Sequence, residues 1–129
     1  TFTIGDDEME IGMGIHGEAG VRRGKLEGAD RIAEQLARAA IDDQPIRRGD
    51  KVAVLINGLG ATPREELYVL YRRVRQILDG DGIAVHRNYI GEYATSLEMA
   101  GASLSLLKLD DELASLIDAP ASSPFFLQC

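Results

Sequence analysis

Apolar and polar residues alternate with a period of two in several parts of the chain, a pattern typical of β-strands with one buried face. It predicts strands on both sides of a turn at 5–7, and further strands over 83–90 and 102–109. The segment KVAVLI, residues 51–56, is instead an unbroken apolar run rich in valine. Because a strand covered on both faces has such a run, we predict that it lies at the centre of the sheet.

Apolar residues at helical spacing predict three helices. The first covers 29–41, the second ends at the Asp-Gly-Asp-Gly run 79–82, and the third runs from 110 to about 117. At the start of the second helix, Thr62 as N-cap, Pro63 and Glu65 predict a capping box. Because these helices alternate with strands that include antiparallel pairs, we predict a two-layer α/β sandwich, a mixed β-sheet with helices on one face.

The composition is that of one globular domain, residues 1–129, with a net charge of −7. An acidic chain without a basic stripe argues against nucleic acid or an anionic membrane as a partner. No apolar run approaches the roughly 20 residues of a membrane-spanning helix. The single cysteine, Cys129, and the lack of a signal-peptide pattern predict a cytoplasmic protein. Because the chain starts at Thr1 inside an alternating segment, we expect it to be part of a longer polypeptide.

The segment GMGIHGEAG, residues 12–20, places His16 among four glycines. A neutral imidazole can act as a base, a ligand or a nucleophile, and Glu18 is close enough in a loop to accept the proton of its other ring nitrogen. The alternative is a surface-loop histidine without chemistry. A zinc site is not expected, since the chain has no paired cysteines and only His86 as a second imidazole, so we predict no metal ligands.

Three further segments have structural and functional interpretations, and the structural one is favoured each time. NGLGATP, residues 57–63, suits a tight strand-to-helix turn better than an anion site, because it lacks the Walker A lysine and the full dinucleotide fingerprint. LDDEL, residues 109–113, suits a helix start better than a cation site. His86, in the alternating segment IAVHRNYI, suits a packed or edge position. No cofactor-binding residue is therefore predicted in this chain.

Four segments, in this order, resemble the second domain of the dihydroxyacetone kinase K-type subunit: GMGIHGEAG, NGLGATPREELYVLYRR, GEYATSLEMAGASLSLLKLDDE and DAP. The resemblance runs from about Phe2 to Pro124, with one departure at Ala19, where the family usually has proline. It implies a C-terminal substrate-anchoring domain of a longer K-type chain, whose separate N-terminal α/β domain is absent here.

The resemblance also implies a function, namely phosphorylation of dihydroxyacetone (glycerone) or a related short ketose. In the family the histidine of the GIHGE motif binds the substrate carbonyl covalently, and His16 is the matching position. We expect His16 to form a hemiaminal that presents a terminal hydroxyl for phosphorylation. Gly14, Gly17 and Glu18 are expected to support it, the glycines by leaving room for the ketose and the partner domain.

The remaining machinery is expected outside this chain. The resemblance implies catalytic residues on the N-terminal domain of the same polypeptide, and an ATP-Mg or ADP-Mg phosphoryl donor on a separate domain or subunit. It also implies a homodimer. Dihydroxyacetone and the four-carbon erythrulose both remain possible substrates. The alternative function is a non-catalytic ketose-sensing or regulatory binding module on the same fold.

Overall fold

The computed structural model describes residues 3–14, 18–96 and 99–129. Within these residues the chain forms strands and helices in the following order: β1 (Glu8–Ile11), β2 (Arg22–Lys25), α1 (Ala29–Asp42), β3 (Lys51–Gly60), α2 (Arg64–Asp81), β4 (Ala84–Gly91), β5 (Ala100–Leu109), α3 (Asp111–Ile117), β6 (Ala121–Ser123) and β7 (Phe126–Gln128). None of the helices formed by the described residues is both long and apolar enough to cross a membrane.

The main sheet has three strands in the order β4-β3-β5. Strand β3 lies at its centre, parallel to β4 and antiparallel to β5. Ile56, for example, is paired with Ile90 on one side and Leu104 on the other. The predicted mixed sheet and its central strand are therefore confirmed.

The main core lies between this sheet and two helices. Every second residue of β3 points toward α1 and α2, and Val52, Val54 and Ile56 are almost completely buried there. The helices contribute Ala33, Leu67, Leu70, Val74 and Leu78 to the same cluster. Burying each large aliphatic side chain stabilises the fold by about 1.5–3 kcal/mol, so this layer contributes much of the stability. The predicted layer of helices against one face of a mixed sheet is thus formed by α1 and α2.

The third helix differs from the expectation that all helices cover the same face. Ala114 and Ile117 of α3 pack with Ala53 and Leu109, and Ala53 alternates with the β3 residues that face α1 and α2. Since successive side chains of a strand point to opposite faces, α3 lies against the other face. Asp110 alone connects β5 to α3, and one residue is too short to carry the chain around the sheet edge.

The predicted helix boundaries are partly confirmed. Asp110 accepts a hydrogen bond from the Leu113 amide at 2.8 Å, so the acidic start of α3 is a true N-cap. Gly82, with φ of 73°, ends α2 as expected. The capping box is wrong: the N-cap is Pro63, and no side-chain cap hydrogen bond to a described residue is formed there. The Ala61 amide donates to the Met99 carbonyl, and Pro63 is still extended, so the helix begins at Arg64.

Two small antiparallel pairs complete the fold, β1 with β2 and β6 with β7. The predicted strand before the turn at 5–7 is wrong as far as it is described, because residues 3–5 belong to no strand; Phe2 lies outside the described residues. The short strands β2, β6 and β7 were not predicted. They contain only three or four residues each, too few for periodicity to show.

Candidate functional site

The predicted site residues are only partly among the described ones. His16 and Gly17 lie outside them, whereas Gly14 and Glu18 flank this segment and lie together. The Gly14 amide donates to the Glu18 carbonyl at 3.2 Å. A Cβ on Gly14 would overlap the Glu18 carboxylate, so Gly14 leaves the space that this side chain occupies. The absence of a side chain at Gly14 thus makes room for Glu18, and the support of His16 by these two residues stays a prediction.

Two other glycines of the same segment are required by the local backbone conformation and packing. Gly12 has φ of +79°, a conformation that favours glycine. A Cβ on Gly20 would lie 2.7 Å from the Ile11 carbonyl oxygen. The Gly20 amide donates to Glu10 at 2.7 Å, and this bond, followed by that from Arg23, lowers the pKa of Glu10. The positive φ of Gly12 and the close approach of the Ile11 backbone to Gly20 thus explain these two glycines without a substrate or partner domain.

A cavity of about 330 Å³ is lined in part by Met13 and Gly14, which precede His16 in the chain. Its floor is the face of the sheet opposite α1 and α2, and its wall comes from the residues that follow β4. The lining residues are Met13, Gly14, Leu55, Asn57, Leu59, Tyr93, Ala94, Met99, Ser103 and Ser105. Mostly apolar walls with a few polar groups are usual for small-molecule sites. This cavity is our candidate small-molecule site.

Asn57 is the buried polar residue of this site, with 5% of its surface exposed. Its amide nitrogen donates to the Ala94 carbonyl at 2.7 Å, and its oxygen accepts from the Tyr93 and Ala94 amides at 2.8 and 3.0 Å. Asn57 opens the segment NGLG, for which we expected a turn. Residues 57–60 instead extend β3 and pair with β5, so the tight strand-to-helix turn predicted over 57–63 is confined to residues 61–63.

Tyr93, which lines the cavity, packs against two other aromatic rings. The Tyr93 ring lies edge-on to Tyr89 at 6.4 Å and to Phe126 at 6.2 Å between centroids. Partial burial raises the pKa of the Tyr93 hydroxyl. Sequence reasoning missed Asn57 and Tyr93. The one available signal was an asparagine directly after the apolar run 51–56, a position where a polar side chain must find partners.

The second histidine takes part in a different cluster. His86 Nε2 lies 2.8 Å from an oxygen of Asp118, and Arg87 donates to the other oxygen at 2.8 Å. A register shift opposite Val52 and Ala53 lets two successive residues reach one carboxylate. These contacts lower the pKa of Asp118, the bond with His86 most of all. His86 is not among the residues lining the cavity, in keeping with its predicted edge position.

Removing the Asp118 carboxylate is expected to cost stability in a pH-dependent way. Because its pKa is lower in the folded state, the carboxylate stabilises the fold above about pH 4, and this contribution is lost as the pH falls further. Asp118→Asn should lower the free energy of unfolding at pH 5, and its difference from the wild type should shrink toward pH 2. Urea denaturation at several pH values measures this. Asp111→Asn is the control, since this fully exposed partner of Lys51 should matter little. An Asp118→Asn difference independent of pH would contradict the assignment.

The acidic residues at the start of α3 are explained by the fold. Asp110 caps the helix, and Asp111 lies 3.0 Å from the Lys51 ammonium. Among the residues that the structure describes, no cluster of three or more histidine, cysteine or acidic side chains is arranged to hold a metal ion. The favoured interpretation of LDDEL as a helix start is confirmed by the Asp110 cap.

The fold and the motifs place the chain in one family. It belongs to the Dak1 domain family, whose match covers residues 1–125. The resemblance to dihydroxyacetone kinases found in the sequence is thereby confirmed at the level of the family.

Named relatives give a similar picture. The chain is 45% identical over 125 residues to the dihydroxyacetone-binding subunit DhaK of a PTS-dependent dihydroxyacetone kinase of Listeria innocua. The aligned region covers 97% of this chain and 38% of that protein. It is 43% identical over 129 residues to an L-erythrulose kinase of Pectobacterium atrosepticum, which covers 97% of this chain and 22% of the kinase. The chain thus spans well under half the length of these relatives, one named as a dihydroxyacetone-binding subunit and the other as an L-erythrulose kinase.

Solved structures share the fold. A dihydroxyacetone kinase operon co-activator, DhaQ, superposes with a TM-score of 0.81 at 35% identity, covering 92% of this chain and 38% of that one. The dihydroxyacetone kinase of C. freundii, solved with AMP-PNP and Mg²⁺, superposes with a TM-score of 0.79 at 22% identity, covering 95% of this chain and 22% of that one. The second likeness supports the fold alone.

Proposed function

We propose that this chain is the substrate-anchoring domain of a short-ketose kinase and lies C-terminal to a separate α/β domain of a longer polypeptide. The observation that carries this proposal is the cavity lined by Met13 and Gly14, the two residues that come before the segment 15–17 in the chain. The family and the short length relative to the kinases named above support it.

In this proposal His16 anchors the ketose through a covalent bond. The lone pair of its unprotonated Nε2 adds to the ketone carbon, and the carbonyl π electrons move to the oxygen, which takes up a proton. The proton on Nδ1 is released, so the product is a neutral hemiaminal. Because Nε2 then carries no proton, water cannot be lost to form an imine, and the bond stays reversible.

Glu18 and Gly14 support this step by their positions. The Gly14 to Glu18 backbone bond joins the two sides of the segment, and the Glu18 side chain lies over Gly14. A carboxylate here favours the ring orientation and tautomer that leave Nε2 free. Gly17 is proposed to give the ketose room beside the ring.

Phosphoryl transfer itself requires groups outside this chain. The general base then lies on the N-terminal domain, and the ATP-Mg or ADP-Mg donor is bound by a separate domain or subunit. The full-length protein is proposed to be a homodimer in the cytoplasm. This chain then contributes recognition, since a ketone can form the hemiaminal whereas glycerol, which has no carbonyl group, cannot.

A second candidate function is a regulatory ketose sensor without kinase activity. The specific observation in its favour is the likeness to the operon co-activator, at 35% identity over most of this chain. Such a module would keep the covalent bond and lack phosphoryl transfer.

The deciding experiment uses the full-length protein with dihydroxyacetone, erythrulose and glycerol. Intact-protein mass spectrometry should show addition of one whole ketose, without loss of water, and no addition of glycerol. Turnover with ATP or a phosphorylated donor subunit distinguishes the two functions. An adduct with turnover supports the kinase, and an adduct without turnover supports the sensor. The absence of both would contradict each of them.

A further inference from the structure

The end of β3 holds the segment after β4 through one buried side chain. Asn57 makes three hydrogen bonds, all to the backbone of Tyr93 and Ala94. These residues lie 36 and 37 positions further along the chain. Because both the donor and the acceptor of the carboxamide are used, the backbone of this segment has one favourable position relative to the sheet.

A second group of contacts lies at the very end of the same strand. The Gly60 amide donates to the Thr95 hydroxyl at 2.8 Å, and the Ala61 amide donates to the Met99 carbonyl at 2.7 Å. Residues 93–95 and Met99 are therefore attached to β3 at several points. We call these residues the cavity wall, because Tyr93, Ala94 and Met99 all line the cavity.

The position of Asn57 in its strand argues for a role beyond packing. Leu55 and Leu59, its neighbours on the same face of β3, also line the cavity and are apolar. An apolar residue at position 57 would continue that floor and would bury no polar group. A buried carboxamide costs free energy unless every partner is satisfied, and what it adds here is a defined location for the wall.

We propose that Asn57 is a positioning residue that fixes the cavity wall relative to the cavity floor and thereby sets the space available to a ketose in the cavity. The inference rests on the proposed function. It assigns the choice between three-carbon and four-carbon ketoses to the location of the wall, because the wall residues line the cavity and limit the space for an additional hydroxymethylene group. Thr95 has the same role, because its hydroxyl accepts a hydrogen bond from Gly60, the last residue of β3.

The test compares the wild type, Asn57→Asp and Asn88→Asp in the full-length protein. Asn57→Asp keeps the size of the side chain and the oxygen that accepts from Tyr93 and Ala94. It replaces the amide nitrogen that donates to the Ala94 carbonyl by a second carboxylate oxygen, which repels that carbonyl. Asn88→Asp is the matched control, an exposed asparagine of β4 whose side chain donates to Tyr71. Asn57→Asp is expected to raise the KM for dihydroxyacetone about tenfold, as for one lost hydrogen bond, and to leave the KM for the phosphoryl donor unchanged. The ratio of kcat/KM for erythrulose to that for dihydroxyacetone should change as well.

Thr95→Val keeps the inference testable if the buried variant does not fold. Thr95 is exposed, so its replacement should leave the protein folded while removing the acceptor for Gly60. We expect a higher KM for dihydroxyacetone, restored by Thr95→Ser. Folded variants with wild-type KM and wild-type preference, and only a lower melting temperature, would overturn the inference. A wild-type protein without adduct or turnover would instead overturn the proposed function, so the two failures are distinguishable.

Discussion

Replacing His16 with alanine in the full-length protein is expected to abolish the ketose adduct and to lower kcat/KM for dihydroxyacetone by at least about 1,000-fold. Holding a reactant in the correct orientation contributes up to roughly 7–11 kcal/mol in ideal intramolecular reactions, so a loss of this size is within reach of one anchoring bond. The variant should also lose its discrimination against glycerol, because only shape would then distinguish the two compounds. Intact-protein mass spectrometry and steady-state kinetics measure these effects.

The matched control is His86→Ala, which removes the other imidazole of the chain. Its contact is Asp118, and His86 does not line the cavity, so the adduct should persist. Kinase activity should stay within about threefold of the wild type, since surface contacts of this kind contribute little. An undiminished adduct in His16→Ala would show that the ketose is bound elsewhere. Loss of the adduct in both variants would point to a general loss of structure.

Replacing Gly60 with alanine is expected to destabilise the protein by about 3 kcal/mol. Gly60 has φ of +65°, which side chains rarely adopt, and a Cβ there would overlap the Met99 carbonyl oxygen and lie 2.6 Å from that of Ser96. All the atoms met are backbone, so the cavity wall must move as a whole. Chemical denaturation measures the loss, and a raised KM for the ketose should accompany it in the full-length protein.

Gly80→Ala is the control for Gly60→Ala, because the same methyl group is added where nothing lies within 4 Å. Gly80 is in α2, and alanine is the better helix former, so a gain of about 0.5 kcal/mol is expected. Equal effects at the two glycines would mean that the close approach between β3 and the wall does not exist in solution.

The two faces of β3 have different roles in the domain. The face with Val52, Val54 and Ile56 packs against α1 and α2 and supplies the main core. The opposite face carries Ala53 under α3, and then Leu55 and Asn57 on the floor of the cavity. A rigid, doubly covered strand is a suitable support for a site, because its side chains keep their positions when a ligand binds.

The sequence by itself determined the family and the main elements, whereas the chemistry of His16 stays a prediction from the resemblance. The apolar run 51–56 and the helical spacing of α2 are local signals of period and length, which need no knowledge of the rest of the chain. The acidic start of α3 was equally local, since a cap bonds within three residues.

Only the tertiary structure decided the face covered by α3, the partners of Asn57 and the purpose of Gly12 and Gly20. Each of these depends on contacts between segments whose approach is set by the sheet, such as Asn57 with Ala94, 37 residues apart. Hydrophobic period says which side of a strand is buried and says nothing about which distant backbone group lies opposite. A glycine or an asparagine can contact a substrate, form a turn or pack against a neighbouring strand. Which of these roles it has depends on the residues around it in the folded protein.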